Sequence, residues 1–293
     1  MMKISVVIPT MNEPAIEAVV KDVFSVLRGY EVEVLVVDNS TDDTPERAAK
    51  SGAKIIHQHG KGYGNAYITG FKKVERNSDV IVMLDGDYSY DPHDIPKLLE
   101  PIKEGADFVI GNRFAEMEQG AMSKRNVFGN MVLTSLIRFL YHTPISDSQS
   151  GMRAITRTAL ENLKMKSQKM PFATEMIIEA RKEGLEIIEV PIKYRVRVGA
   201  AKLNPYRDAI NIVYTMIRLV RDYNPIVIFL PIGLILLLIG FGFGIGILIE
   251  WIKTGVVTRF AGAILSVLLI VVGLQIMLFG LLADIILTNL RRS

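Results

Sequence analysis

The chain has 293 residues, enough for one large domain with appendages, and 49% of them are hydrophobic, with a mean hydropathy of +0.29. A formal charge of +3 with no long basic run excludes nucleic acid as a partner, and the absence of cysteine excludes disulfides, thiolate nucleophiles and thiolate-held metals. The apolar excess lies after Asn224. Met1-Met2-Lys3 runs straight into a strand pattern without a signal-peptide region, so the first domain is expected to stay on the side where it is made.

Ile4 to Pro9 reads as the first buried strand, followed by the loop Pro9-Thr10-Met11-Asn12-Glu13. Ile16, Val19, Val20, Val23 and Leu27 then repeat at helical spacing, with Asn12 as the expected N-cap. Val32 to Val37 is the second strand and ends on Asp38-Asn39-Ser40-Thr41-Asp42-Asp43-Thr44, after which Pro45 opens a short helix. A third strand, Ala53 to His57, leads into the glycines Gly60, Gly62 and Gly64. No Gly-Lys-[Ser/Thr] closes that loop, which excludes a Walker site, and Gly64 is left as a backbone approach to a nucleotide or as a plain loop residue. His57 and His59 read as strand-end residues rather than metal ligands.

The fourth strand, Val80 to Leu84, is five apolar residues running into Asp85-Gly86-Asp87. A helix with Ile95, Leu98, Leu99 and Ile102 on one face follows, then a strand from Asp107 to Asn112. This alternation predicts an α/β fold with a mostly parallel sheet flanked by helices. Ligands of such sheets bind beyond the carboxyl ends of the strands, where Asp38, Asp85 and Asp87 land together. Two carboxylates that can face one way repel unless a cation lies between them. A divalent ion with oxygen ligands, completed by a diphosphate, meets that need, and a solvated turn is the plain alternative.

Lys124 to about Tyr141 is helix-like and apolar, with Lys124 and Arg125 at its head. It reads either as a packed domain helix or as an amphipathic helix lying on a lipid bilayer, and the apolar segments further on favour the second. Arg113, Lys124 and Arg125 become candidates for a lipid phosphate, since guanidinium forks suit phosphate oxygens. In the polar loop that follows, Asp147 is a candidate sugar or metal contact, and Gln149 and Ser150 are candidate lining of a sugar pocket. Glu175 stands at a helix start, either answering the helix dipole or touching sugar or acceptor. Arg195 and Arg197 are two apart, and with Lys202 they make a basic loop expected to be mobile and able to close over phosphates, Lys202 having a solvated alternative.

Residues 206–223 have the pattern of an amphipathic helix, with Ile210, Val213, Ile217 and Val220 on one face. Pro225 to Ile249 and Phe260 to Ala283 are each long enough to span a bilayer. Arg218, Arg221, Arg291 and Arg292 flank the pair on one side, which favours a cytoplasmic first domain and a short external loop from Glu250 to Arg259. Gly240, Gly242, Gly244 and Gly246 have the spacing of helix-packing positions, within the hairpin or between protomers of a homo-oligomer.

The motifs Pro9 to Glu13, Val36 to Thr44 and Asp85-Gly86-Asp87 together resemble the family 2 glycosyltransferases. More narrowly, Gly111-Asn112-Arg113-Phe114, Asp147 to Ala154 and Glu189 to Gly199 look like the dolichyl- or polyprenyl-phosphate mannose and glucose synthases. The resemblance covers roughly residues 3 to 215. It departs at Val37-Asp38, where an Asp-Asp pair is usual, and in a shorter stretch between Arg113 and the next helix. It implies a GT-A-like sheet domain over residues 1–205, to which the apolar patterns above add an interfacial helix over 206–223 and a two-span transmembrane hairpin over 224–293. It also implies a nucleotide base near Asp38, ribose near Pro9 and Glu13 with Thr10 beside them, and a diphosphate bridged by Mg2+ or Mn2+ to Asp85 and Asp87. Asp85, Asp87 and Asp147 are the catalytic candidates.

The expected activity is inverting, metal-dependent transfer of a hexose, mannose or glucose, from a UDP- or GDP-sugar to dolichyl or polyprenyl phosphate. One rival is a transferase acting on a glycan or polysaccharide, although the Gln-x-x-Arg-Trp pattern of processive synthases is absent and Trp251 falls between the spans. Another is a non-catalytic nucleotide-sugar-binding scaffold, against which both aspartates weigh. A phosphate acceptor is already anionic at neutral pH, so Arg125 and Arg195 are expected to matter more than a carboxylate base at Asp147 or Glu175.

Overall fold

Runs of β-branched residues set the middle of the sheet. β1 (Lys3–Thr10), β2 (Glu31–Asp38), β3 (Lys54–His57) and β4 (Val80–Met83) form in a computed structural model that describes residues 1–165, 172–199 and 225–292. The chain divides into two compact units, Met1–Pro205 and Tyr206–Ser293. In the first, β5 (Phe108–Met117), β6 (Arg153–Thr156) and β7 (Ile187–Tyr194) complete a seven-stranded sheet of order β3-β2-β1-β4-β6-β5-β7. All neighbouring pairs are parallel except those made by β6, which runs against β4 and β5.

Side chains alternate across the strands. Val6, Ile8, Val34, Val36 and Val82 join one buried cluster with Ile16, Val19, Val20 and Val23 of α1 (Ile16–Val26) and with Ile95, Leu98, Leu99 and Ile102 of α4 (Ile95–Lys103). On the opposite face, α3 (Tyr63–Phe71) packs across β1 and β2. α2 (Thr44–Lys50) follows β2 and carries Pro45 in its first turn. α5 (Lys124–Tyr141), α6 (Arg157–Asn162) and α7 (Phe172–Lys182) complete the unit.

Asn12 is not the cap of α1, which starts only at Ile16 after Ala15. Its backbone sits at φ 55°, in the left-handed region that Asn tolerates. Its amide oxygen accepts from Thr41 N at 2.8 Å, and its own N–H donates to Ser40 Oγ at 2.8 Å. The residue therefore ties the loop after β1 to the loop after β2.

In the second unit, α8 (Ile226–Thr254) and α9 (Phe260–Arg292) are antiparallel partners in sequence order. Both are long and apolar enough to cross a membrane, with hydropathies of 2.8 and 2.7 over Ile226–Thr254 and Phe260–Leu287. Only 11% and 17% of their most apolar windows is buried, unlike the core helices of a soluble protein. α8 continues past Glu250 and takes in Trp251, so the expected loop shrinks; Gly255, at φ 73°, ends the helix. Gly240 faces Ile270 and Ser266, whose hydroxyl donates to Gly240 O at 2.7 Å, and Gly244 faces the same hydroxyl. These two glycines pack inside the hairpin, whereas Gly242 and Gly246 open outward with nothing near them among the described residues. The amphipathic stretch 206–223 lies outside the described residues.

Candidate active site

β1 and β4 are neighbours, but β2 and β3 continue from β1 in one direction while the later strands lie in the other. The crevice beyond the carboxyl ends of β1 and β4 is thus the place where strand order reverses, the usual ligand position of an open α/β sheet. Thr10 ends β1 in register with Asp38 at the end of β2. Thr10 Oγ1 donates to Asp38 Oδ1 at 2.7 Å, and Ser40 supplies its hydroxyl to Oδ1 and its N–H to Oδ2 at 3.1 Å. The buried carboxylate is fixed, and Oδ2 retains acceptor capacity. Pro9 and Glu13 flank this point, with Glu13 N bonded to Thr44 Oγ1 at 3.0 Å. Gly64 is buried in the first turn of α3.

Asp85 and Asp87 stand just past β4. Tyr63 donates its hydroxyl to Asp85 Oδ1 at 3.1 Å. Burial and then the charge of Asp87 push the Asp85 carboxyl up to about 7, with Tyr63 pulling the other way. Asp87 accepts from Ser89 N at 3.0 Å and from Ser89 Oγ, and its other oxygen lies 3.5 Å from Arg197 Nη2. A Cβ on Gly86 would sit 3.0 Å from Thr10 Cγ2 and 3.4 Å from Glu13 Cγ, so the backbone's close approach is to the β1 loop. On the far side, a Cβ on Gly151 would sit 2.8 Å from Asp85 Oδ2 and 2.9 Å from Tyr63 OH.

Two repelling carboxylates in a desolvated crevice suit a hard divalent cation. No group of three or more His, Cys, Asp or Glu able to hold a metal occurs among the described residues. Asp85 and Asp87 supply hard oxygen donors here, and a Mg2+- or Mn2+-type ion between them would need further oxygen ligands from outside the protein.

Arg113 and Asp147, separate candidates in the sequence, face each other. Arg113 Nε and Nη2 donate to the two carboxylate oxygens of Asp147 at 2.6 and 2.8 Å, and both side chains are buried. The guanidinium expected for a phosphate is committed to Asp147, and the carboxylate expected for sugar or metal is covered by Arg113. Glu189 on β7 accepts from Ser146 N at 2.8 Å and Asp147 N at 2.7 Å, fixing that loop. Arg153, fully buried, donates to Ser150 O, Ala173 O and Ser148 O. Gln149 donates to Thr174 Oγ1 at 2.7 Å, while buried Ser150 Oγ has no hydrogen-bond partner among the described residues. Glu175 is buried in the first turn of α7.

Lys124 and Arg125 open α5 after Ser123, whose hydroxyl accepts from Asn126 N at 3.3 Å. Leu133, Thr134 and Ile137 of this helix are buried, but Phe128, Met131, Val132 and Phe139 are exposed, Phe128 and Phe139 at 69% and 68%. Arg195 pairs with Asp91 and lies over the Tyr88 ring. Lys202 lies outside the described residues.

Residues 5–164 match the family model described as "Glycosyl transferase family 2". The chain belongs to glycosyl transferase family 2. Its relatives include the glycosyltransferase AglJ of Haloferax volcanii, 33% identical over 97% of this chain and 94% of that one. A dolichyl-phosphate hexose transferase of the same organism is 36% identical over 69% of this chain and 87% of its own length. Among solved structures, glucosyl-3-phosphoglycerate synthase of Mycobacterium tuberculosis, in complex with Mn2+, UDP and phosphoglyceric acid, aligns with a TM-score of 0.59 and 26% identity over 74% of this chain and 78% of that one. The fold of this glycosyltransferase is accordingly GT-A-like, followed by two apolar C-terminal helices.

Several residues that shape the glycosyltransferase crevice are not candidates in the sequence, although Arg153 and Glu189 lie within its motifs. Tyr63 reaches Asp85 from α3, Tyr90 OH accepts from Gly151 N at 2.6 Å, and Arg153 and Glu189 brace the loop around Asp147. Tyr63, Tyr90 and Glu189 act across long sequence separations, whereas Arg153 also reaches back to Ser150 and Ser148 a few residues before it. The neighbouring glycines, the Asp147 to Ala154 motif and the start of the Glu189 to Gly199 motif mark the region in the sequence.

Proposed function

We propose that this glycosyltransferase moves a hexose, mannose or glucose, from a UDP- or GDP-sugar to dolichyl or polyprenyl phosphate, with inversion. The observation that carries the proposal is the Asp85/Asp87 pair at the strand-order reversal, in a chain that also has two membrane-length helices. The names of the dolichyl-phosphate relative and of the Mn2+- and UDP-bound structural neighbour support it.

Asp38 Oδ2 accepts a ring N–H of the base, and Glu13 accepts from ribose hydroxyls. Asp85 and Asp87 hold Mg2+ or Mn2+, which when bound neutralises the departing diphosphate. Lys124 and Arg125 sit at the head of α5, where a cation opposes the helix dipole. An acceptor phosphate there answers both charge and dipole. Arg195 and Lys202 are the further phosphate contacts, while Gln149, Ser150 and Glu175 border the sugar. Arg113 and Asp147 shape the pocket as a pair. The acceptor dianion needs no proton removed, so the chain must position it and exclude water rather than supply a base.

The exposed apolar side of α5 rests on the bilayer, and the sheet domain is cytoplasmic, as the basic flanks of the spans indicate. Gly242 and Gly246 are the positions at which the spans of a second copy would pack. The test is incubation of membranes with labelled UDP- or GDP-hexose and polyprenyl phosphate, followed by organic extraction. Label should enter the organic phase with Mn2+ or Mg2+ and not with EDTA. Label retained in a water-soluble glycan would refute the lipid acceptor.

A further inference from the structure

The segment after β7 runs alongside the turn that carries Asp87. Arg195 N donates to Ser89 O at 2.8 Å and Val198 N donates to Asp87 O at 2.9 Å, so Arg197 is held by backbone bonds on both sides. Its guanidinium lies 3.5 Å from Asp87 Oδ2 and is one-third exposed, while Asp87 Oδ1 is already used by Ser89. Arg195 is paired separately with Asp91, so among the described residues of this segment Arg197 is the cation presented to the carboxylate pair. The oxygen it faces is the one that Ser89 leaves for a metal.

We propose that Arg197 is a built-in counter-ion: it neutralises Asp87 while the crevice is empty and must release that carboxylate when a divalent cation enters. This rests on the reading of Asp85 and Asp87 as the metal-binding pair. The arrangement keeps the turn closed against carboxylate repulsion and makes a bare cation bind weakly. A diphosphate arriving with the cation offers the displaced guanidinium another anionic partner. Arg197 is on this account a positioning and gating residue for metal entry.

The experiment titrates Mn2+ alone, without nucleotide, into the full-length protein in detergent and follows the free ion by electron paramagnetic resonance. Arg197→Gln should bind Mn2+ about two- to fivefold more tightly than wild type, the range set by a partly exposed ion pair. Arg197→Lys should stay nearer to wild type, and Asp87→Asn should weaken binding. Equal or weaker binding by Arg197→Gln, with Asp87→Asn still impaired, overturns the counter-ion and leaves the metal site standing. Mn2+ binding that ignores Asp87→Asn overturns both. A second measurement needs no variant: Mn2+ should accelerate phenylglyoxal modification of Arg197 in the wild-type protein, read by peptide mass spectrometry. No acceleration overturns the proposal.

Discussion

Arg113 closes a two-point ion pair on Asp147 beneath the protein surface, with Nε at 2.6 Å from one carboxylate oxygen and Nη2 at 2.8 Å from the other. Asp147 is wholly buried and Arg113 is 6% exposed, so neither charge has water to fall back on if its partner is removed. Arg113→Ala should cost about 3–5 kcal/mol of stability, because it strands a buried carboxylate. Asp147→Asn keeps the shape and some hydrogen bonding and should cost less. Thermal or urea unfolding of the detergent-solubilised protein gives the ranking, and an Arg113→Ala protein as stable as wild type would contradict it.

Gly151 lies against Asp85. The Cβ of a Gly151→Ala variant would press on Asp85 Oδ2 and Tyr63 OH, both less than 3 Å away. The fold should survive with a shifted carboxylate, and transfer should fall by about 10²-fold, the scale for a reacting group displaced by an ångström. Steady-state rates at saturating Mn2+ and donor, beside an unchanged melting temperature, make the check.

Arg125→Ala should weaken use of the acceptor by about 1.5–3 kcal/mol, the worth of one charged hydrogen bond, whether in acceptor KM or in kcat. Donor binding should barely change. Titrating polyprenyl phosphate and nucleotide sugar separately distinguishes this from general damage, which would move both.

The pH dependence of stability has a signature at Asp91. Burial alone would raise its carboxyl, but the hydrogen bonds from His93 and the charge of Arg195 more than offset that and leave it below the ordinary carboxylate range. A folded-state value below the unfolded one stabilises the fold above the unfolded pKa, and the contribution is lost as acid takes the pH down through the folded value. The wild-type melting temperature should therefore fall more steeply in that acidic window than the melting temperature of Asp91→Asn, and parallel curves would refute the assignment.

In the hairpin, the Cβ of a Gly233→Ala variant would lie 2.6 Å from Gly273 O. The substitution should destabilise the α8–α9 pair by about 1–3 kcal/mol through overpacking. Gly242→Ala and Gly246→Ala meet nothing within 4 Å among the described residues and should be neutral to slightly stabilising in the monomer. Thermal stability in detergent separates the two groups.

Much of this architecture is written locally. The apolar run Val80 to Leu84 reads as a buried strand and forms β4 over Val80–Met83, and the bounds of α5 follow from its apolar run, opened by Ser123 and closed by His142 in a left-handed conformation. What sequence order hides is pairing across distance. Arg113 and Asp147 are 34 residues apart and meet because β5 and the loop before β6 end side by side. The reversed direction of β6 is equally hidden, since alternation of side chains does not record which way a strand runs. α8 overran its expected end because Glu250-Trp251-Ile252-Lys253 contains no helix breaker, and Gly255 is the first residue that stops it.

The reversed strand has a consequence for how such a protein can diversify. β5 leaves the sheet at the carboxyl edge of β4, and Arg153 re-enters there opposite Met83. The whole excursion between them, α5 included, starts and finishes on one rim. In its outer part, from residue 118 through α5, residues can be added, removed or exchanged at little loop-closure cost and without shifting a strand, whereas the returning loop with Asp147 and Gly151 is bound to Arg113 and Asp85. Donor-side chemistry and the α5 region can therefore evolve as separable parts, and transplanting residues 118–141 between relatives is the modular exchange that this topology permits.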